Sequence, residues 1–116
     1  MPPQASRGEV WKVRLDPVEG HEQGLERPAI ILSHDTFNHG PAELVVAVPL
    51  TKRHRPELDK LRVQIAPPEA GLSVVSYAMP EQIRTLSTRR LIQRWGKVSK
   101  TTLERVEDLV RVLLNL

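Results

Sequence analysis

Much of the chain shows the period-two alternation of apolar and polar residues that is typical of β-strands. Residues 8–15 place Trp11, Val13 and Leu15 on one face of a predicted strand. Residues 28–33 are apolar on both faces, which predicts a strand in the middle of a sheet. Further strands are predicted over residues 43–50, 61–66, 73–79 and 82–86, and residues 90–95 form either a last strand or a short turn.

Proline, glycine and asparagine separate these runs. Residues 16–26 are long for a hairpin connection, and loops of that length in small domains often act as lids. Residues 35–41 and 67–71 contain residue types that favour turns, and residues 52–60 are predicted to form an exposed loop.

Only the end of the chain has helical periodicity. Leu103, Val106 and Leu113 recur at spacings of three and four residues, which predicts an amphipathic helix. Ser99 or Thr101 is expected to cap it, with Thr101 and Glu104 fitting a capping box. Glu107 and Arg111 have the spacing of an i,i+4 ion pair.

Several short strands followed by one late helix predict an α+β fold, built as a small barrel or a curled, mostly antiparallel sheet. The length of 116 residues fits a single domain. Residues 1–6 have no apolar core and are expected to be a flexible tail, which leaves residues 7–116 as the domain.

The composition excludes several kinds of chemistry. The chain has no cysteine, so disulfides, thiol catalysis and cysteine-ligated metal sites are excluded. Its four histidines are scattered and its acids dispersed, so neither suggests a metal site. No apolar run approaches membrane-spanning length, and we expect a cytoplasmic protein.

Positive charge is concentrated in two segments, although the net charge is only +3. Residues 51–62 carry five lysines and arginines, and residues 84–105 carry seven against one acid. Such clustering favours a polyanionic partner, RNA or DNA, and the alternative is a solvated positive face.

Arg27 is the most informative candidate for chemistry. It opens the apolar run 28–33, directly after the long loop, so a fixed cation stands at a strand end beneath a segment able to cover it. Guanidinium groups in such positions hold phosphate or carboxylate. The alternative is a structural arginine paired with Glu22 or Glu26.

RNA cleavage without a metal fits these residues, because RNA carries its own nucleophile in the 2′-hydroxyl. An enzyme must orient that hydroxyl, accept its proton, stabilise the charge on phosphorus and protonate the leaving 5′-oxygen. Arg27 suits charge stabilisation, and Thr51 suits hydrogen-bond donation to a phosphate oxygen. A lone threonine at a strand end is also a common turn former.

Five motifs in register resemble the MazF/PemK family of toxin endoribonucleases from type II toxin–antitoxin modules. The motifs are Arg7-Gly8-Glu9-Val10-Trp11, Asp16-Pro17 with Gly20-His21-Glu22-Gln23, Arg27-Pro28-Ala29-Ile30-Ile31, Val48-Pro49-Leu50-Thr51, and Glu81-Gln82-Ile83-Arg84-Thr85. The resemblance extends from Arg7 to the terminal helix.

This resemblance implies a compact SH3-like β-barrel with a C-terminal helix, assembled as a homodimer. It implies sequence-specific, ribosome-independent cleavage of single-stranded RNA that leaves a 2′,3′-cyclic phosphate and a 5′-hydroxyl. No metal or cofactor is implied, and a MazE-like antitoxin is the implied inhibitor. The family's catalytic residues match Arg27 and Thr51. The side chains expected to contact RNA are His21, Glu22, Gln23, Lys52, Arg53, His54, Gln82 and Arg84.

Two histidines depart from the family pattern. His21 stands where the family often has serine, and it either contacts a base or phosphate, assists proton transfer, or is inert. His54 has no clear counterpart. The rival hypotheses are a plain RNA-binding module and a non-catalytic toxin with the same barrel. Toxins of the second kind that poison gyrase use a C-terminal Trp-Gly-Ile, whereas this chain ends Leu114-Asn115-Leu116.

Overall fold

The computed structural model describes residues 4–15 and 26–116. The described residues form seven strands, two α-helices and four 3-10 turns. The strands are β1 (Glu9–Arg14), β2 (Glu26–Ile31), β3 (Leu44–Thr51), β4 (Val63–Ile65), β5 (Ser76–Ala78), β6 (Arg84–Ser87) and β7 (Leu91–Lys97). The helices are α1 (Asp35–Asn38) and α2 (Lys100–Leu114), and the 3-10 turns are Pro56–Leu58, Glu69–Gly71, Pro80–Gln82 and Thr88–Arg90.

Strand β3 is the centre of the sheet, because it pairs with three other strands. One edge of β3 pairs with β2. The other edge pairs with β6 over Leu44–Ala47 and with β5 at Leu50 and Thr51. The main path runs β4-β5-β3-β2-β1-β7, and every pair is antiparallel. The predicted α+β class, with a curled antiparallel sheet and a C-terminal helix, is confirmed.

Both faces of the central strands are buried, each in its own cluster of apolar side chains. Directly opposite residues in antiparallel strands share a face. Val10, Ile30 and Val48 are paired in this way and belong to the cluster that includes Val106 and Val110 of α2. The opposite cluster contains Trp11, Val13, Ala29, Ile31, Ala47, Leu86 and Leu91. The prediction of a central strand after Arg27 is therefore confirmed, since β2 lies between β1 and β3.

The 3-10 turn Glu69–Gly71 packs against β7 so closely that two glycines are required. Gly71 has a φ of +73°, and a Cβ built on it would lie 2.2 Å from the carbonyl oxygen of Trp95. A Cβ on Gly96 would lie 2.6 Å from the carbonyl carbon of Ala70. Backbone therefore touches backbone where the β4–β5 region meets the far edge of the sheet.

Helix α2 begins at one of the two predicted caps, Ser99, but its capping box and its ion pair differ from the sequence-based expectation. The Ser99 side chain is the cap and accepts a hydrogen bond from the Thr102 N–H at 3.1 Å, so the predicted capping box at Thr101 is wrong. Glu107 pairs with Arg7. The expected pair with Arg111 is also wrong, because Arg111 contacts Asp108 at 2.9 Å. Glu107 thus ties α2 to the start of the domain.

Two other expectations need correction, and one alternative that the sequence left open is resolved. Residues 35–41 were predicted as a turn, but they contain α1, which is capped by His34 accepting from the Thr36 N–H. Residues 4–6 belong to the predicted tail, yet Ala5 is fully buried and its carbonyl contacts His39 Nε2 at 2.9 Å. The uncertain segment at residues 90–95 is a strand, β7, which pairs along β1.

We predict that Gly71→Ala destabilises the protein by more than about 2 kcal/mol, because the new methyl group must displace the Trp95 carbonyl. Denaturant unfolding measures the change in the free energy of unfolding. Gly8→Ala is the matched control. It also has a positive φ (+88°), but its Cβ would have its nearest neighbour at 3.5 Å, so strain alone costs about 1 kcal/mol. Equal losses in the two variants would contradict the close-approach explanation.

Acid stability should depend on Glu9 and Asp35. Burial alone would raise the pKa of Glu9, but hydrogen bonds from the Ser6 N–H, Trp11 and Arg94 outweigh it and lower that pKa. The hydrogen bond from the Arg7 N–H is the main cause of the lowered pKa of Asp35. Both carboxyls therefore contribute stability above their unfolded pKa values and lose it as the pH falls through the lower folded values.

We accordingly expect the melting temperature to fall below about pH 4, where unfolded carboxyls begin to bind protons. Asp35→Asn keeps an oxygen that accepts from Arg7 but removes the titration. The slope of melting temperature against pH should be shallower in this variant in the acid range. Superimposable slopes for the variant and the parent would show that Asp35 does not contribute.

Candidate functional site

Arg27 lies near the start of β2, at the end of the sheet. It pairs with Val13 of β1, and its half-buried side chain belongs to the face that carries Val13 and Ala29. Its neighbour Glu26 alternates onto the opposite face. Strand β2 thus places the charges of Glu26 and Arg27 on opposite faces, and Arg27 lies at the edge of the apolar cluster that contains Val13 and Ala29.

Glu26 is engaged by other cations. Its carboxylate contacts Lys12 Nζ at 3.1 Å and Arg14 Nη2 at 3.1 Å. The alternative of a structural Arg27–Glu26 pair is therefore wrong, and Glu22 lies outside the described residues. None of the described carboxylates pairs with Arg27.

Thr51 ends β3 on the same face and at the same end of the sheet. Ala29 of β2 is paired with Pro49 of β3. Arg27 and Thr51 each lie two residues beyond that pair, so the two strands bring both side chains to one edge. The Thr51 Oγ1 accepts a hydrogen bond from the Arg53 N–H at 3.2 Å, and no described residue accepts the proton of its hydroxyl.

A groove of about 640 Å³ opens at this end of the sheet. It is lined by Glu26, Arg27, Pro28, Leu50, Thr51, Lys52, Arg53, Leu72, Ser73, Val74, Ser76 and Trp95. Three of these side chains are cations. None of the described acids pairs with Arg27, Lys52 or Arg53, while the one lining acid, Glu26, is already paired. The groove therefore favours an anion, and it combines fixed positive charge with a hydroxyl donor.

The apolar wall of the groove was missed by the sequence analysis. Leu72, Val74 and Trp95 belong to the segment before β5 and to β7. The sequence placed residues 73–79 in one strand, but β5 begins only at Ser76. Nothing in the local pattern shows that this segment folds back beside Arg27, because the contact depends on the turn that Gly71 and Gly96 permit.

His54 does not line the groove, although it lies beside Thr51. Its Nε2 is 2.8 Å from Asp59 Oδ1, and its ring stacks on Tyr77 with centroids 4.9 Å apart and planes inclined by 12°. Tyr77 is the direct partner of Thr51 across β3 and β5. Neither Asp59 nor Tyr77 was singled out from the sequence.

The other predicted contacts are more dispersed. Gln82 is exposed at the end of the 3-10 turn Pro80–Gln82, and Arg84 of β6 lies opposite Ala47 of β3. Neither residue lines the groove. His21, Glu22 and Gln23 fall outside the described residues. From the first basic segment, Arg62 pairs with Glu81 and its side chain is only 9% exposed, so it serves the fold.

The described residues contain no group of three or more histidine, cysteine or acidic side chains placed to hold a metal ion. In residues 4–15 and 26–116, no helix has both the length and the apolar character needed to cross a membrane.

Comparisons with a protein family and with a known protein point to the same kind of protein. Residues 6–114 match the family described as PemK-like, MazF-like toxin of type II toxin–antitoxin system. Endoribonuclease MazF9 of Mycobacterium tuberculosis is 33% identical over 114 residues, which cover 95% of this chain and 96% of that protein.

Two solved structures from Deinococcus radiodurans have similar folds. MazF is 27% identical with a TM-score of 0.81, and the match covers 98% of this chain and 99% of that one. MazF in a MazE–MazF complex is 27% identical with a TM-score of 0.82 and 98% coverage of both chains.

Proposed function

We propose that this chain, which belongs to the PemK-like, MazF-like toxins of type II toxin–antitoxin systems, cuts RNA with Arg27 and Thr51 as its catalytic pair. The chain is an endoribonuclease toxin of that family. It cleaves single-stranded RNA in a sequence-specific, ribosome-independent manner and leaves a 2′,3′-cyclic phosphate and a 5′-hydroxyl. The proposed functional domain is residues 7–116.

The observation that carries the catalytic assignment is a cation with no carboxylate partner among the described residues, placed beside a hydroxyl donor. Arg27 and Thr51 lie on one face at the same end of β2 and β3. None of the described carboxylates competes for the guanidinium. A scissile phosphate placed between them would accept two parallel hydrogen bonds from Arg27 and one from the Thr51 hydroxyl.

In the proposed reaction the 2′-oxygen attacks the adjacent phosphorus and gives its proton to solvent water, and the bond from phosphorus to the 5′-oxygen breaks. The 5′-oxygen leaves and takes a proton back from the solvent, so the number of protons is unchanged. Arg27 holds the negative charge that builds up on the non-bridging oxygens. A guanidinium is a very weak acid and carries a fixed positive charge, so Arg27 suits charge stabilisation and proton donation rather than the role of a base.

The neighbouring cations would bind the rest of the strand. Lys52 and Arg53 line the groove next to Thr51, and exposed phosphates of the substrate would neutralise them. Glu22, Gln23, Gln82 and Arg84 are proposed as further RNA contacts because they match the family motifs. His21 is proposed as another because it precedes Glu22 and Gln23 in the same motif, at a position where the family often has serine. His54, which lies beside Thr51, is a further proposed RNA contact.

An antitoxin is the proposed inhibitor of this site. The similar MazF from D. radiodurans is known in a MazE–MazF complex. An acidic, MazE-like segment would compete with RNA for the cations of the groove. We also propose a cytoplasmic homodimer. The exposed apolar side chains Val112, Leu113, Leu114 and Leu116 at the end of α2 support a partner surface.

Replacement of Arg27 tests the catalytic assignment. Arg27→Ala should lower kcat by about 10²–10³-fold, because it removes the main charge facing the transition state. Cleavage of a long single-stranded transcript at saturating RNA measures the effect. Arg111→Ala is the control, since Arg111 pairs with Asp108 on α2, away from the groove, and should leave kcat unchanged. Undiminished turnover by Arg27→Ala would remove Arg27 from the mechanism.

Cleavage should persist in excess EDTA, because the proposed steps use the 2′-hydroxyl of the RNA, Arg27 and Thr51. The measurement is the rate of appearance of discrete RNA ends, with their 2′,3′-cyclic phosphates identified by resistance to direct 3′-ligation. Complete loss of cleavage on chelation, restored by adding a divalent cation, would show that this mechanism is wrong.

A further inference from the structure

The face that carries Arg27 and Thr51 continues across β5 and β4 as a polar surface. Tyr77 is directly opposite Thr51 in the pairing of β3 with β5. Gln64 is directly opposite Tyr77 in the pairing of β5 with β4. Paired residues project on the same side, and adjacent strands are about 4.8 Å apart, so these side chains form a row leading away from Thr51.

His54 lies on this row with its ring held from two directions. Asp59 Oδ1 contacts Nε2 at 2.8 Å, which fixes the rotation of the ring. Tyr77 stacks against the ring with an interplanar angle of 12°. The chain between Thr51 and His54 is also constrained, because the Arg53 N–H donates to the Thr51 Oγ1.

In spite of these two contacts, 46% of the His54 side chain is exposed. The stack with Tyr77 uses only one face of a flat ring. A planar, oriented and solvent-accessible ring next to a phosphate site has the properties of a base-stacking platform. Asp59 and Tyr77 hold the ring in place before any ligand arrives, which reduces the entropy lost on binding.

We propose that His54, backed by Tyr77, stacks on the nucleobase next to the phosphate held by Arg27 and Thr51. This subsite rests on the proposed endoribonuclease function, and its ligand is an unpaired base of single-stranded RNA. His54 is then a residue that positions the strand and contributes to the choice of cleavage site. Arg27 and Thr51 remain the residues that face the reacting phosphate.

The main alternative role for His54 is proton transfer, because a histidine that is oriented by a carboxylate can also act as a general base. The two roles predict different behaviour when the imidazole is replaced by a ring that cannot titrate. A stacking platform needs a flat ring at residue 54, whereas a base needs a nitrogen.

The test uses a short RNA that spans a cleavage site mapped on a long transcript. A 2′-deoxy sugar at the scissile nucleotide prevents cleavage, and 2-aminopurine replaces the base on one or the other side of the scissile phosphate. Stacking quenches 2-aminopurine fluorescence, so titration with the full chain reports affinity and stacking together. Cleavage of the all-ribose version gives kcat and KM.

We expect quenching at one of the two positions with the parent protein. His54→Ala should remove that quenching and weaken binding about tenfold, within the range known for single base–aromatic contacts. His54→Phe should restore both quenching and affinity and keep kcat. Phe37→Ala is the matched control, because it removes an exposed ring from α1, which follows the opposite end of β2 from Arg27.

Two results would overturn the platform. One is a His54→Phe variant with normal KM and a strongly reduced kcat, which would assign proton transfer to His54. The other is unchanged quenching and affinity in His54→Ala. These results differ from those that would contradict the endoribonuclease proposal itself. That proposal would be contradicted by a parent chain that does not cleave RNA or by normal cleavage by Arg27→Ala.

Discussion

The pairing of β3 with three other strands is the constraint on which the rest of the molecule depends. Its first half is held by β6, its last residues by β5, and its other edge by β2. A slip of one residue in any of these ladders would turn every side chain of β3 to the opposite face. Both faces of β3 contribute to buried clusters, so such a slip would disrupt the packing of both clusters and turn Thr51 to the opposite face. The packing of the core thus fixes the positions of Arg27 and Thr51.

The basic side chains discussed above fall into two groups, those that pair with carboxylates and those that line the groove. Arg7, Arg62 and Arg94 are each paired with a carboxylate, and these pairs link distant parts of the chain. Arg27, Lys52 and Arg53 have no such partner among the described acids and share one groove. The modest net charge hides this separation, because the paired cations cancel against the acids that hold them. A polyanion therefore meets a local field that is stronger than the overall composition suggests.

Much of the fold was predictable because its signals are local. The strand at residues 8–15, the strand at residues 28–33 and helix α2 can each be recognised from the apolar pattern of a single segment.

The site was less predictable because its parts depend on long-range contacts. Arg27 stood out from its position at the start of an apolar strand, and the motif resemblance gave both Arg27 and Thr51 a catalytic role. Their shared face follows only from the register of β2 and β3. Asp59, Tyr77 and the wall formed by Leu72 and Trp95 gave no sequence signal, since tertiary packing alone brings them to the site. The pairing of Glu107 with Arg7, rather than with Arg111, is another case in which a distant residue replaced the local partner.

None of the described carboxylates neutralises Arg27, and this affects the energetics of folding. Among the described residues, its half-buried guanidinium loses hydration without a compensating ion pair, which reduces the stability of the protein without a bound anion. Any polyanion that enters the groove supplies the missing charge and, by mass action, stabilises the native state relative to the unfolded chain. Occupancy of the groove by substrate or by inhibitor is therefore thermodynamically linked to the persistence of the folded molecule. The charge proposed for catalysis thus also makes the stability of the native state depend on whether the groove is occupied.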